Sequence, residues 1–284
     1  MIIPAKKTKA LEMAVLGLGT YRIGGDQERD PSNDDDGQIQ SIRNALQAGV
    51  THIDTAESYA AGHAETLIGK AIAGFDRKQL FITTKVSRRH HQYKDVLKSA
   101  QASLARLGTS YHDLYLLHAP HSKIPFSDTF KAMNELVETK LVRFVGVSNF
   151  STAQLKQAKQ YSRYPIACNQ IHYGLSAREY ERDGTIEYCR AEGILVTAYR
   201  VMGDEGTPAA GWTLLEEMAQ KYGKTSKQVA LRWVIQQPNV VALAKMVQPR
   251  HLRDNLDVLT WELAPADMVR LARDFPIGAT FLPG

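Results

Sequence analysis

The feature that most constrains this chain is an alternation of short apolar runs with longer segments of helical hydrophobic spacing. The runs are Leu16–Thr20, Val50–Asp54, Leu80–Lys85, Asp113–His118, Phe144–Asn149, Ile166–Ile171, Ile194–Tyr199 and Val240–Lys245. They are continuously apolar, which is the pattern of strands covered on both faces, as in a parallel sheet under helices. Between them, residues such as Ile39, Ile42 and Leu46, or Leu97, Ala100, Leu104 and Leu107, recur on one helical face. Gly49 and Gly108 follow those two segments as helix terminators. Such units, repeated over 284 residues, predict an α/β fold: a (β/α)8 TIM barrel in one domain spanning 1–284. Ile2-Ile3 and Met13–Leu16 precede the first unit and predict a short N-terminal β-hairpin. No linker, repeat or low-complexity stretch marks a second domain.

Composition narrows the function classes. With 44% apolar and 23% charged residues, the chain can bury a large core. The net charge of +5 is dispersed, apart from Lys6, Lys7 and Lys9 and the run Arg88-Arg89-His90-His91. Neither cluster has the length or aromatic interleaving of a nucleic-acid face, so no nucleic-acid partner is expected. The Arg88–His91 loop follows a strand and would favour anionic substrates or phosphate. Cys168 and Cys189 have no metal-type spacing and suit a reducing, cytoplasmic compartment. No stretch approaches the roughly 20 apolar residues of a membrane span. Asp30–Gly37 reads as a loop and acidic helix cap; the later ligands of a calcium loop are missing. Leu16–Tyr21 contains G-x-G without the third glycine of a dinucleotide fingerprint.

The barrel's chemistry is expected where the strands end. Those ends are Thr20, Asp54, Lys85, His118, Ser148-Asn149, Gln170, Tyr199 and Lys245, all polar at the close of apolar runs. After Asp54 a loop presents Tyr59. That stretch alone leaves two readings open. Asp54 and Tyr59 form a catalytic pair, or Asp54 or Thr55 caps the next helix while Tyr59 packs in the core.

The sequence resembles the aldo-keto reductases. The likeness rests on Leu16-Gly17-Leu18-Gly19-Thr20-Tyr21, the stretch through Asp54-Thr55-Ala56, Ile82-Thr83-Thr84-Lys85 and Asp113–His118. It continues through Gly146-Val147-Ser148-Asn149-Phe150, Asn169-Gln170 and Lys245–Asn255, nearly the whole chain. The resemblance implies reduction of aldehydes or ketones with NADPH, on a tetrad of Asp54, Tyr59, Lys85 and His118. It implies nicotinamide stacked on Tyr199, its carboxamide held by Ser148, Asn149 and Gln170. It puts the 2′-phosphate on Lys245 and extends cofactor contacts to Gly19, Thr20, Tyr21, Asp54, Arg200, Met202, Met246, Val247, His251 and Asn255. The residue types agree with that chemistry. A phenol with an ordinary pKa near 10 donates a proton if tuned, and a lysine cation about 4 Å away favours tyrosinate by roughly 4 kcal/mol. Asp54 would hold Lys85, and His118 would orient the carbonyl oxygen. No metal is implied; His63, His90, His91, His112, His121 and His172 form no ligand set and read as surface or pocket-rim residues.

The chain also departs from the family. Tyr199-Arg200-Val201-Met202 replaces the common Tyr-Ser-Pro-Leu, and Arg200 either reaches the cofactor pyrophosphate or points to solvent. Met246 stands in place of a small hydroxyl residue and His251 in place of an arginine, which predicts a less strict NADPH preference. The loop Gly203–Gly211 is short, predicting easy cofactor exchange, and the brief tail Phe275–Gly284 predicts an open pocket lined by Tyr21, Val86, Ser87 and His121. The partner is then a small carbonyl substrate, with a monomer or weak homo-oligomer expected. Two alternatives follow from other classes: a reductase-like barrel serving as an interaction subunit, and a cofactor-free barrel lyase or isomerase. The second lacks a phosphate-gripping glycine pair near the last two strands.

Overall fold

The computed structural model describes residues 2–201 and 209–276. Ten strands are described: β1 (Ala5–Lys7), β2 (Glu12–Ala14), β3 (Leu16–Gly19), β4 (His52–Asp54), β5 (Phe81–Val86), β6 (His112–Leu117), β7 (Val142–Ser148), β8 (Ile166–His172), β9 (Leu195–Tyr199) and β10 (Val240–Ala244). Strands β3 to β10 form a closed parallel barrel in sequence order, with β10 returning to β3. Helices separate them, so the predicted (β/α)8 architecture is present. No helix among the described residues is long and apolar enough to cross a membrane.

Local chemistry explains the elements. Asp34 caps the helix Asp35–Gln47 by accepting from the Gly37 N–H, and Asp35 and Asp36 lie in its first turn. The acidic run is thus a helix start. Ser151 and Thr225 close capping boxes on two later helices. The helix Tyr93–Leu107 ends on Gly108 in the left-handed conformation.

The hairpin is present but shifted from the sequence expectation. Pairing runs from Ala5↔Ala14 to Lys7↔Glu12, leaving Ile3 outside the ladder. Pro4 has no N–H to give a ladder, though its carbonyl accepts from Val15 N at 2.8 Å. The hairpin plugs the barrel. Leu11 and Met13 pack with Leu114, Leu116, Ala167, Cys168, Leu195 and Val241 in an interior cluster. A second, larger cluster lies between the strands and the outer helices and includes Ile53, Ile82, Val86, Tyr115, Val196 and Ala198. Alternate residues of the strands therefore face the barrel interior and the helices, except at Ala167 and Cys168 of β8, which both join the interior cluster where the register with β7 shifts.

Buried histidines sit near the starts of β4 and β6. His52 packs against Phe81, and its Nε2 lies 3.2 Å from Thr83 Oγ1. Gly17 makes room for it, because a Cβ there would stand 2.4 Å from His52 Nδ1. His112 stacks on Tyr115 and meets the Ala100 carbonyl. Burial pushes His52 down to about 3, helped by the Lys85 charge, and pushes His112 down to about 4. An unfolded imidazole takes its proton near pH 6.5. Between about pH 6.5 and 4 the unfolded chain therefore binds more protons than the folded one, and stability falls as pH falls. The limiting slope is about 1.4 kcal/mol per pH unit per histidine. Urea unfolding across this range is expected to show the decline, less steeply in His52→Gln. A flat profile would contradict it.

Candidate active site

The strand alternation delivers the site. Leu114 and Leu116 of β6, Cys168 of β8, Leu195 of β9 and Val241 of β10 face the barrel interior. Counting on by twos from these residues gives His118, Gln170 and His172, Tyr199 and Lys245. Lys85 of β5 and Asp54 of β4 complete the ring, with Asp54 in register with Thr83 and Lys85 with Leu116. The polar strand ends thus converge because each is an even step from an interior residue.

Lys85 is 0% exposed, yet its ammonium has three acceptors. They are Asp54 Oδ1 at 2.6 Å, the Thr55 carbonyl at 2.7 Å and the Tyr59 oxygen at 3.3 Å. An ammonium has three N–H bonds and no acceptor, so all are used. The Tyr59 oxygen must accept, which leaves its own O–H directed elsewhere. Asp54 Oδ2 accepts from Gln170 Nε2 at 2.6 Å, and its backbone carbonyl accepts from the Thr20 hydroxyl at 2.8 Å. Burial disfavours the Lys85 charge, but Asp54 and Tyr59 outweigh that and hold its pKa above the ordinary value. Burial raises the Tyr59 pKa, with Lys85 opposing. The resting site is therefore a charged lysine beside a protonated phenol.

Tyr59 is held by an unusual turn. Ala60 and Ala61 both have left-handed backbones, with φ of 50° and 52°. Such non-glycine residues cost on the order of 1–2 kcal/mol each and persist only when anchored. Their N–H groups donate to the Asp26 and Gln27 carbonyls, each at 2.8 Å. The Tyr21 ring packs edge-on against Tyr59 at 5.3 Å, and its hydroxyl donates to Asp26 at 2.7 Å. On the other side lies His118, 5.8 Å from Tyr59 between ring centroids. Burial, with the Lys85 charge, lowers His118 to about 3, so it is a neutral imidazole at pH 7. Ser58 Oγ is 3.4 Å from its Nδ1.

Beside this group lies a set of amide and hydroxyl side chains. Ser148 Oγ donates to the Gln170 carbonyl at 2.8 Å, and Asn149 Nδ2 to Ser148 Oγ at 3.1 Å. Tyr199 donates its hydroxyl to Asn149 Oδ1 at 2.8 Å. Past β10, Lys245 is exposed, and desolvation together with the Arg22 charge lowers its pKa. It has no carboxylate partner among the described residues. Arg22, whose charge reaches Lys245, is itself paired with Asp26 at 3.8 Å.

The structure locates the remaining expected residues. Val86 does not line the mouth; it is fully buried against the helices, one step out of phase with Lys85. Its carbonyl instead accepts from His118 N at 3.0 Å. Of the histidines expected at the surface or the pocket rim, His91, His112 and His172 are buried, and His172 stands at the mouth as the last residue of β8. Thr20 is wholly buried and braces Asp54. Asn255 is buried and gives its amide N–H to the Lys245 carbonyl at 3.1 Å, fixing the exit of β10. Met246 is buried while His251 is exposed, and Arg250 pairs with Asp254 at 3.5 Å. Arg200 is exposed, with a left-handed backbone and its charge within reach of Tyr199. Met202, most of the loop Gly203–Gly211 and the tail beyond residue 276 lie outside the described residues. Sequence reasoning passed over Arg22 and Glu57. Glu57 accepts from the Ser87 N–H at 2.6 Å and meets His90 Nδ1 at 2.9 Å, tying the loop after β5 to the Tyr59 loop. No sequence signal marks either contact, because both depend on loop conformation.

Comparison with known proteins finds relatives of the whole chain. The profile of the aldo/keto reductase family matches residues 15–273. The methylglyoxal reductase YeaE of Escherichia coli is 32% identical, over 94% of this chain and 92% of its own length. The thermostable aldo-keto reductase Tm1743, solved with the inhibitor epalrestat, superposes with a TM-score of 0.92 at 40% identity, covering 95% of this chain and 99% of that one. An aldo/keto reductase from Klebsiella pneumoniae, solved with NADP and acetate, gives a TM-score of 0.83 at 31% identity, with 94% and 93% covered.

The Asp54–Lys85 pair carries a stability consequence. Removing one partner of a buried pair leaves an uncompensated charge and costs about 3–5 kcal/mol, whereas removing both is far milder. Asp54→Ala is expected to lower the unfolding free energy by that amount, and Asp54→Ala with Lys85→Met to recover most of it. Equal losses in the single and double variants, measured by urea unfolding, would refute the pairing.

Proposed function

The chain belongs to the aldo/keto reductase family, and from that premise we propose that it reduces small aldehydes or ketones to alcohols with NADPH, using Tyr59 as proton donor. The observation that carries the reading is Lys85, whose buried ammonium donates to the Tyr59 oxygen and leaves the phenol proton free for a substrate.

The residues present fit the cofactor. Tyr199 offers a ring anchored through its hydroxyl. Ser148, Asn149 and Gln170 supply the donors and acceptors an amide requires. Lys245 and Arg22 supply positive charge for phosphate. When bound, the dihydronicotinamide supplies the hydride that reaches the carbonyl carbon. The chain does the rest. His118, neutral at pH 7, donates an N–H toward the carbonyl oxygen and orients it without adding a second cation beside Lys85. Tyr59 passes its proton to that oxygen as negative charge builds there. Lys85 then stabilises the emerging tyrosinate at 3.3 Å, a Coulomb term on the order of 5 kcal/mol at an effective dielectric of 20. Asp54 keeps Lys85 in place, and Gln170 and Thr20 keep Asp54 in place. A 2-oxoaldehyde is the first substrate to test, because the Escherichia coli relative is a methylglyoxal reductase. Two buried free cysteines suit a cytoplasmic location.

Tyr59→Phe is expected to lose about 10²–10⁴-fold in turnover while binding NADPH nearly as wild type. Retention of more than half the wild-type turnover would remove Tyr59 as the donor. NADPH is expected to be preferred over NADH by about 10- to 100-fold, the worth of one charge-assisted hydrogen bond, and Lys245→Ala to erase the preference. Equal kcat/KM for both cofactors in wild type, unchanged by Lys245→Ala, would contradict the assignment.

A further inference from the structure

The reaction proposed above gives no part to His172, the last residue of β8. It is only 6% exposed although it stands at the mouth. Its cross-strand partner in the parallel ladder is Tyr199, in register at the end of β9. Cys168 and Leu195, also in register, face the barrel interior. Four residues on, His172 and Tyr199 therefore face the same side, one step beyond Gln170 and Thr197. The two rings lie 5.6 Å apart between centroids and 18° from parallel, an offset stack.

Tyr199 is thus fixed at two places. Its hydroxyl donates to Asn149 Oδ1, which stops the ring from sliding. His172 lies against the ring and stops it from tilting. The hydroxyl bond alone leaves rotation about the axis through the Cβ and the oxygen free, and a stacked neighbour removes that freedom. We propose that His172 is a positioning residue for the nicotinamide end of the cofactor: it holds the Tyr199 ring at the angle on which the nicotinamide stacks. This rests on the reading of the mouth as an NADPH site. The adenosine and 2′-phosphate end, near Lys245, owes nothing to His172.

The two ends can be separated by ligand. NADPH carries both, whereas 2′,5′-ADP carries the adenosine and its phosphates without the nicotinamide. Calorimetric titration of the full-length protein with each ligand tests the proposal. An aromatic stack of this kind corresponds to about 2- to 13-fold in affinity. His172→Ala is expected to weaken NADPH by that factor and leave 2′,5′-ADP unchanged. His172→Phe, which keeps a ring, is expected to restore NADPH binding. His172→Gln, polar but ringless, is expected to behave as His172→Ala. Unchanged NADPH affinity in the ringless variants would overturn the proposal, as would equal weakening of both ligands, which marks a general structural loss. A wild-type protein that binds neither ligand would overturn the NADPH reading, and this proposal with it. Wild-type binding with indifferent variants would overturn this proposal alone.

Discussion

One buried charge sets the terms for the mouth of this barrel. The Lys85 ammonium is wholly inside, and an unpaired cation there would be far too costly to keep. Three acceptors meet its three N–H bonds, and each imposes a further constraint. Asp54 must stay fixed, which occupies Gln170 and the Thr20 hydroxyl, and the lysine and Gln170 oppose the rise that burial imposes on its pKa. The Thr55 carbonyl must point inward, which sets the path of the chain leaving β4. Tyr59 must turn its oxygen toward the lysine, and the left-handed Ala60 and Ala61 follow from that turn. The arrangement that makes the charge tolerable is the same one that turns the Tyr59 oxygen toward a cation.

The closed parallel barrel makes such convergence cheap. Every strand contributes interior residues at alternate positions, and all carboxyl ends meet at one rim. Apolar interior residues below give a sealed floor, completed by Leu11 and Met13 of the hairpin. Polar residues one step above them give the site. Stability and chemistry are thereby segregated along the same strands. His52 near the start of β4 stays buried and neutral in the folded body, while Asp54, two residues on, holds the lysine.

The architecture was legible in the sequence because eight continuous apolar runs between amphipathic helices fit few other folds. The ring of polar strand ends was legible for the same reason: Asp54, Lys85, His118, Gln170, Tyr199 and Lys245 each close an apolar run. What escaped depends on phase and loop geometry. Val86 follows Lys85 directly and therefore faces the helices, a consequence of alternation that adjacency in sequence hides. His172 stands two residues past Gln170, and the same counting identifies it as an interior residue. Thr20 and Asn255 also make hydrogen bonds that brace Asp54 and Lys245, and no local pattern announces them. The turn at Ala60 and Ala61 has no glycine at either position to announce it, and its anchor, the Asp26 and Gln27 carbonyls, is over thirty positions earlier in the chain. Arg22 and Glu57 act through loops whose course no local pattern specifies.

The central claim is that Lys85 remains charged while buried, and that its charge governs Tyr59. The most direct measurement is the titration of the Lys85 ε-carbon by NMR in protein labelled with ¹³C-lysine, the signal assigned by its loss in Lys85→Met. Asp54 and Tyr59 hold the Lys85 pKa above that of an ordinary lysine, so its signal should remain that of an ammonium while exposed lysines, with midpoints near 10.4, are already losing their protons. A Lys85 signal that loses its proton below about pH 9 would mean the lysine is readily discharged by its burial. The account of Tyr59 as a phenol governed by a permanent neighbouring cation would then be wrong.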